Sequence, residues 1–211
     1  EAFSPAHKSR LAVVYIDGAI YSNALGMDQV SGRAVARKLR KLRKDPQVKA
    51  VVVRVNSPGG LILPSVLMAR EVELMRETKP IVVSMGPVAA SGGYYLAAGA
   101  SAIFAQSSTL TGSIGVIYTH LHVDELARIY WDRVQTSSHA DAGTAARPLS
   151  QEELRLADQA IQEQYNAFLE TVSRGRGLTV EAVDLIAQGR IWSGLQAQKI
   201  GLVDQLGGLQ Q

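Results

Sequence analysis

Ile81-Val82-Val83-Ser84-Met85-Gly86-Pro87-Val88-Ala89-Ala90-Ser91-Gly92-Gly93-Tyr94-Tyr95-Leu96 is the run on which the fold turns. Its first residues are β-branched or apolar and suit a buried strand. Gly86-Pro87 breaks the run, small residues lead to one serine, and two glycines open an apolar stretch of helical character. Read as strand, turn, serine and helix start, the run places Ser91 beside the unpaired N–H groups of a first helical turn, which attract developing negative charge. Gly92 and Gly93 leave room for a second backbone to approach the serine. Such a serine is an acyl-transfer nucleophile if a base stands beside it. It can equally be a helix N-cap, where serine is favoured. Ala89-Ala90-Ser91-Gly92-Gly93 does not match the G-x-S-x-G nucleophile elbow, so catalysis at Ser91 calls for a different constellation.

Upstream, Leu11-Ala12-Val13-Val14-Tyr15-Ile16 is an apolar run closed by Asp17-Gly18, a buried strand and its turn. Residues 19–31 read as irregular, 32–44 as a helix closed by Asp45-Pro46. Residues 48–55 are a second β-branched strand running into Asn56-Ser57-Pro58-Gly59-Gly60. Pro58 fixes one backbone angle and the glycine pair reaches conformations closed to other residues. That loop is a plain turn, or it offers the backbone N–H groups of an oxyanion hole. Residues 65–78 are helical, with Val66, Met68, Val72 and Met75 on the buried face. Residues 102–105 are a short strand, and 109–118 a turn followed by a strand. This alternation predicts a layered α/β core of mostly parallel strands, with Gly59-Gly60 and Ser91 at one sheet edge.

Beyond the core, residues 124–130 read as a helix, 131–136 as partly extended and 137–147 as an exposed loop. Ser150 and Glu153 form a capping box for a helix reaching about residue 174, with Leu154, Ala157, Ile161, Tyr165 and Phe168 as its apolar stripe. A further helix over 179–188 and the segments 191–194, 195–199 and 201–204 close the chain.

At 211 residues and 46% hydrophobic, the chain can bury a core as one domain, here residues 11–208, after a linker or loop at 1–10. Residues 135–211 form its carboxy-terminal loop and helical part. The basic cluster Arg37-Lys38-Leu39-Arg40-Lys41-Leu42-Arg43-Lys44 has leucines at helical spacing and reads as the wet face of an amphipathic helix. Without interleaved aromatics it gives no nucleic-acid footprint, although an anionic membrane surface could attract it. The chain has no cysteine, which excludes disulfides and thiolate metal sites. No apolar run reaches the length of a membrane span. Neither H-E-x-x-H nor a P-loop is present, so no metal and no cofactor is expected.

A serine nucleophile needs a proton acceptor. His7, His120, His122 and His139 sit in no recognisable motif, and His139 in its loop is the least implausible base. Lys38, Lys41, Lys44, Lys49, Lys79 and Lys199 read as solvated helix faces or strand edges, whereas a base lysine must be buried to lose its proton near neutrality.

Taken together, Val53-Arg54-Val55-Asn56-Ser57-Pro58-Gly59-Gly60, the Ser91 run, Leu110-Thr111-Gly112-Ser113-Ile114-Gly115-Val116, Gly189-Arg190-Ile191-Trp192-Ser193-Gly194 and Gly201-Leu202-Val203-Asp204 resemble the signal peptide peptidase A family in the same order. The resemblance implies a Clp-protease-like or crotonase-like α/β fold. It also implies a Ser/Lys dyad endopeptidase on the extracytoplasmic, periplasmic face of the bacterial cytoplasmic membrane that cuts remnant signal peptides and other hydrophobic segments. Ser91 then stands as the nucleophile, Gly59 and Gly60 as the oxyanion hole, and Leu61, Ala90, Gly92 and Ser113 as peptide contacts.

One position departs from the family pattern. Where single-domain members carry the general-base lysine, this chain has Ser138, and no lysine occurs between His120 and Lys199. Longer members are tandem, with the lysine in the amino-terminal half and the serine in the carboxy-terminal half, which this chain resembles. The start at Glu1 without methionine fits a piece of such a protein. The lysine is therefore expected from an amino-terminal half or neighbouring subunit, in a homo-oligomer anchored through a segment absent here, and the isolated chain is expected to be inactive. Three other readings compete: a self-sufficient hydrolase using His139 or a remote lysine, a non-catalytic peptide-binding assembly subunit, and a crotonase-type acyl-CoA enzyme. The last finds no acidic residue beside Gly59-Gly60 or Ser91 in the sequence.

Overall fold

The β-branched runs of the sequence become the strands of one central sheet. The computed structural model describes residues 9–26, 28–123, 134–145 and 147–210. The helix expected over 124–130, the extended residues 131–133, His7 and the first eight residues of the expected amino-terminal linker lie outside these. Contacts divide the chain into one unit of residues 1–115 with 168–211, and another of 116–167.

In the first unit, β1 (Arg10–Asp17), β4 (Val48–Ser57), β5 (Ile81–Ala90), β6 (Ala102–Ala105) and β9 (Gln205–Leu206) pair side by side, all parallel. β7 (Leu110–Gly112) joins the far end of β5, and β8 (Ile191–Ser193) adds to β7 as the antiparallel member. Two short strands, β2 (Ala19–Tyr21) and β3 (Gln29–Ser31), pair in the stretch expected to be irregular. Three-residue strands leave too little periodicity to be read from sequence.

The helices between strands are α1 (Gly32–Lys44), α2 (Ile62–Arg76) and α3 (Gly92–Ala97). Val14, Ile16, Val51, Val53 and Val55 of the sheet are buried, as are Leu39 of α1, Met68, Val72 and Met75 of α2, and Tyr94 and Leu96 of α3. Val66, expected on the buried face of α2, is only half-buried. The basic face of α1 is not simply solvated. Arg40 and Arg43 converge on Glu71 of α2 at 2.7 and 3.2 Å, and the Glu71 side chain is only 2% exposed.

β5 is longer than its first apolar run. Val55 pairs with Met85 but Ser57 with Ala89, so Gly86-Pro87-Val88 carries extra residues against β4. Proline has no N–H to give a ladder, which fits this irregular point. The irregularity lets β5 exchange partners: Val82–Ser84 pair with β6, and Val88–Ala90 pair with β7.

After the sheet come α5 (Val180–Ile186) and α6 (Gly194–Lys199), both capped by side chains, Thr179 and Ser193. Tyr94 of α3 donates its hydroxyl to the Leu202 carbonyl at 2.9 Å. Burial pushes that phenol's pKa well up, against the opposing charge of Arg176. Asp204 closes the chain onto the sheet, accepting the Ile103 N–H and the Arg176 fork. Burial pulls its pKa upward, yet those donors outweigh burial and hold it below the usual carboxylate range.

The second unit contains the turns over 137–145 and the first part of α4 (Gln151–Arg176), whose later residues belong to the first unit. The expected capping box is present: Ser150 N–H donates to Glu153 Oε2 at 2.8 Å, and Glu153 N–H to Ser150 Oγ at 3.2 Å. The apolar stripe is only partly used. Leu154 is 47% exposed, and the buried apolar residues of α4 are Phe168, Leu169 and Val172. Among the described residues, no helix is long and apolar enough to cross a membrane.

Candidate active site

A parallel sheet puts the ends of its strands at one edge, where α/β folds gather their sites. β4 delivers the loop Pro58-Gly59-Gly60 there, and β5 delivers Ser91. Ser91 has φ 50° and ψ −120°, a conformation that L residues rarely adopt. Its N–H donates to the Gly112 carbonyl and its carbonyl accepts the Tyr95 N–H, so the turn is held on both sides. The side chain makes no capping bond and has no hydrogen-bond partner among the described residues. The N-cap reading of Ser91 therefore fails on geometry.

The small residues around Ser91 are required by contact. A Cβ on Gly59 would lie 2.6 Å from the Gly92 nitrogen and 2.8 Å from Ser91 Cβ. A Cβ on Gly92 would lie 2.4 Å from Ser65 Oγ, and one on Gly93 2.9 Å from the Ser57 carbonyl oxygen. The glycine loop is thus pressed directly against the serine turn. On its other side it is stitched to β2: Ile20 N–H donates to the Gly59 carbonyl and Leu61 N–H to the Ile20 carbonyl, both at 2.8 Å.

The two loop glycines differ. The Gly59 N–H is committed to Ser57 Oγ at 3.1 Å. The Gly60 N–H and the Gly92 N–H have no acceptor among the described residues. Of the expected peptide contacts, Leu61 follows the glycine loop and is 49% exposed, and Ala90 and Gly92 flank Ser91. Ser113 follows Gly112, whose carbonyl holds Ser91, and it too has a positive φ of 49°. Gly59, Ala90, Gly92 and Gly112 thus meet directly at the Ser91 turn, with Leu61 and Ser113 adjoining them in sequence. Sequence reasoning passed over Ser57 and Ser65. The signal for Ser57 was local, since serine two residues before a loop N–H can bond it in an ST-turn.

Within the first unit, the described lysines lie away from Ser91. Lys79 Nζ donates to the carbonyls of Leu42, Asp45 and Val48 at 2.8–3.0 Å, closing the end of α1. It precedes β5, whose ten residues separate it from Ser91 by roughly 30 Å at ~3.3 Å per residue. Lys49 is at that same opposite end of the sheet, beginning β4. Lys38, Lys41 and Lys44 are exposed on α1, and Lys199 is exposed in the last turn of α6.

In the second unit, His139 Nδ1 is 3.2 Å from Glu153 Oε1, and Nε2 is 3.7 Å from Glu152 Oε2. Arg147 forks onto both Asp141 and Glu153 at 2.7 Å. The Arg147 guanidinium, then the Ser150 N–H, with a lesser bond from His139, hold the Glu153 carboxyl far below its ordinary range. Ser138, where the family pattern has lysine, is exposed in the turn over 137–140. His120 Nε2 lies 3.0 Å from the Arg147 carbonyl and its ring stacks with that of His122. Among the described residues, no cluster of His, Asp or Glu could hold a metal ion.

Comparison with known proteins gives this architecture a family. Residues 73–211 match the model of Peptidase family S49. The chain is 37% identical to "Serine protease SPPA, chloroplastic" of Arabidopsis thaliana over 96% of its own length and 31% of that protein's. It is 39% identical to "Protease 4" of Haemophilus influenzae over 94% of its own length and 33% of the relative's. A "Putative signal peptide peptidase SppA" of Enterococcus faecium is 35% identical, covering 88% of this chain and 55% of that one. The chain spans about a third of the length of the first two relatives. With its mostly parallel α/β sheet and its serine turn, the chain belongs to peptidase family S49.

Proposed function

We propose that this chain carries the nucleophile of a serine endopeptidase. Ser91 Oγ attacks the scissile carbonyl, and the N–H groups of Gly60 and Gly92 stabilise the oxyanion. A lysine from outside this chain takes the serine's proton and later gives it to the leaving amine. The observation that carries the reading is Ser91 itself, strained at φ 50° with a hydroxyl that has no partner among the described residues and a glycine loop pressed against it. Strain of this kind costs about 1–3 kcal/mol and persists where function selects it. Gly59 contributes by its missing Cβ rather than by its N–H, which Ser57 holds.

The external lysine is supported by two facts. Lys79 and Lys49 stand at the opposite end of the sheet, and two relatives are about three times longer than this chain. His139 is a weaker base candidate, since two glutamates already engage its ring. Substrates are extended peptides with apolar side chains, including signal-peptide remnants, bound along Leu61, Ala90, Gly92 and Ser113. The exposed Leu61, Ile62 and Leu63 beside the glycine loop favour such peptides. The site works in an oligomer at the extracytoplasmic face of a membrane. A peptide-binding subunit without catalysis is the second reading, favoured by the absence of a proton acceptor on Ser91 among the described residues.

A fluorogenic apolar peptide tests this on three samples: this chain, the chain extended by its natural upstream coding sequence, and the extended form with Ser91→Ala. Turnover in the extended form alone, lowered at least ~10³-fold by Ser91→Ala, is expected. Ser91-dependent turnover by this chain alone would contradict the external lysine. Silence in all three would favour the binding subunit.

A further inference from the structure

Ser57 is fully buried at the end of β4. Its Oγ accepts the Gly59 N–H at 3.1 Å, the one side-chain bond made by the backbone of residues 58–60 among the described residues. Two further ties, from Ile20 N–H to the Gly59 carbonyl and from Leu61 N–H to the Ile20 carbonyl, fix the loop's outer side. Between these ties the Gly60 N–H is left without an acceptor among the described residues. We propose that Ser57 is a positioning residue for the oxyanion: its hydroxyl turns the Gly59 N–H inward, so that the next donor, Gly60 N–H, is left to meet charge on the substrate.

The inference rests on Ser91 as the nucleophile and deepens that reading. The loop cannot be positioned by filling space, because a Cβ at Gly59 would collide with Gly92 N and one at Gly60 with the Ile20 backbone. A loop of two glycines is otherwise free to rotate its peptide planes. An ST-turn hydrogen bond removes that freedom at the cost of a single hydroxyl. Donors serve an oxyanion only when they are fixed before the reaction, and misplacement by about 1 Å can cost ~10²-fold in rate.

The test compares Ser57→Ala and Ser91→Ala in the form that hydrolyses the apolar peptide. Ser57→Ala is expected to lower kcat ~10–100-fold with KM within about twofold, because the donor acts in the transition state and not in peptide binding. The inhibition constant of a peptide boronate, whose tetrahedral adduct mimics the oxyanion, should rise in step with that loss. If Ser57→Ala does not fold, Ser57→Cys keeps the volume with a weaker acceptor and should give a smaller kcat loss in the same direction. A soluble variant with wild-type kcat and boronate affinity, or one changed in KM alone, overturns the proposal. Failure of both variants to fold also overturns it and makes Ser57 a structural residue. Activity surviving in Ser91→Ala would instead overturn the underlying reading of the nucleophile.

Discussion

Ser91 carries a conformational cost that a glycine would not. At φ 50°, Ser91→Gly removes the clash of Cβ with its own backbone and is expected to raise the unfolding free energy by roughly 0.5–1 kcal/mol while abolishing turnover. A lower urea midpoint for this variant would show that the turn is not strained. Gly92→Ala places a Cβ 2.4 Å from Ser65 Oγ and should cost about 1–3 kcal/mol. Part of that loss should return in the double variant Ser65→Ala/Gly92→Ala, measured by thermal unfolding. The strand–serine–helix turn was legible because its residues are contiguous. The role of Ser65 was not, since only the packing of α2 on α3 brings it to Gly92.

Between elements, charge settles what hydrophobic pattern leaves open. The cluster 37–44 reads as a solvated face, but Glu71 lies 31 residues beyond Arg40 and no local pattern announces their pairing. Arg40 is 62% exposed, so Arg40→Ala should cost less than ~1 kcal/mol. Removing Arg43 as well leaves Glu71 buried without a counter-charge, and the double variant should lose about 2–4 kcal/mol, more than the sum of the singles. A strictly additive pair in urea unfolding would contradict this. At the start of α4, the capping box was readable from Ser150 and Glu153, whereas the Arg147 and His139 contacts to Glu153 were not. The folded pKa of Glu153 lies below its unfolded value near 4.5. Its contribution is therefore present above that value and is lost as pH falls through the folded one. Relative to the intrinsic exchange rate at each pH, the protection of the amides of residues 153 and 154 should fall in acid, and Glu153→Gln should remove most of that pH dependence.

At the scale of the molecule, the parallel strands of the first unit end together, and this much follows from the alternation of β-branched runs with helical ones. The same alternation carried Lys79 and Lys49 to the far end of the sheet from Ser91. The strand β5 ran past its expected end at Met85 because Gly86-Pro87 marks an irregularity within the strand, and a breaker pair alone cannot distinguish that from a terminus. On the proposed reading, a site with a strained nucleophile and, among the described residues, free oxyanion donors and no hydrogen-bond partner on the serine is completed by a base from another segment. The most direct measurement is a crystal structure of the extended, active form with an apolar peptide boronate. The account predicts boron bonded to Ser91 Oγ, a boronate oxygen within about 3 Å of the Gly60 and Gly92 nitrogens, and a lysine Nζ from outside this chain beside the serine. Boron on another residue, or an oxygen turned away from both glycines, would contradict it.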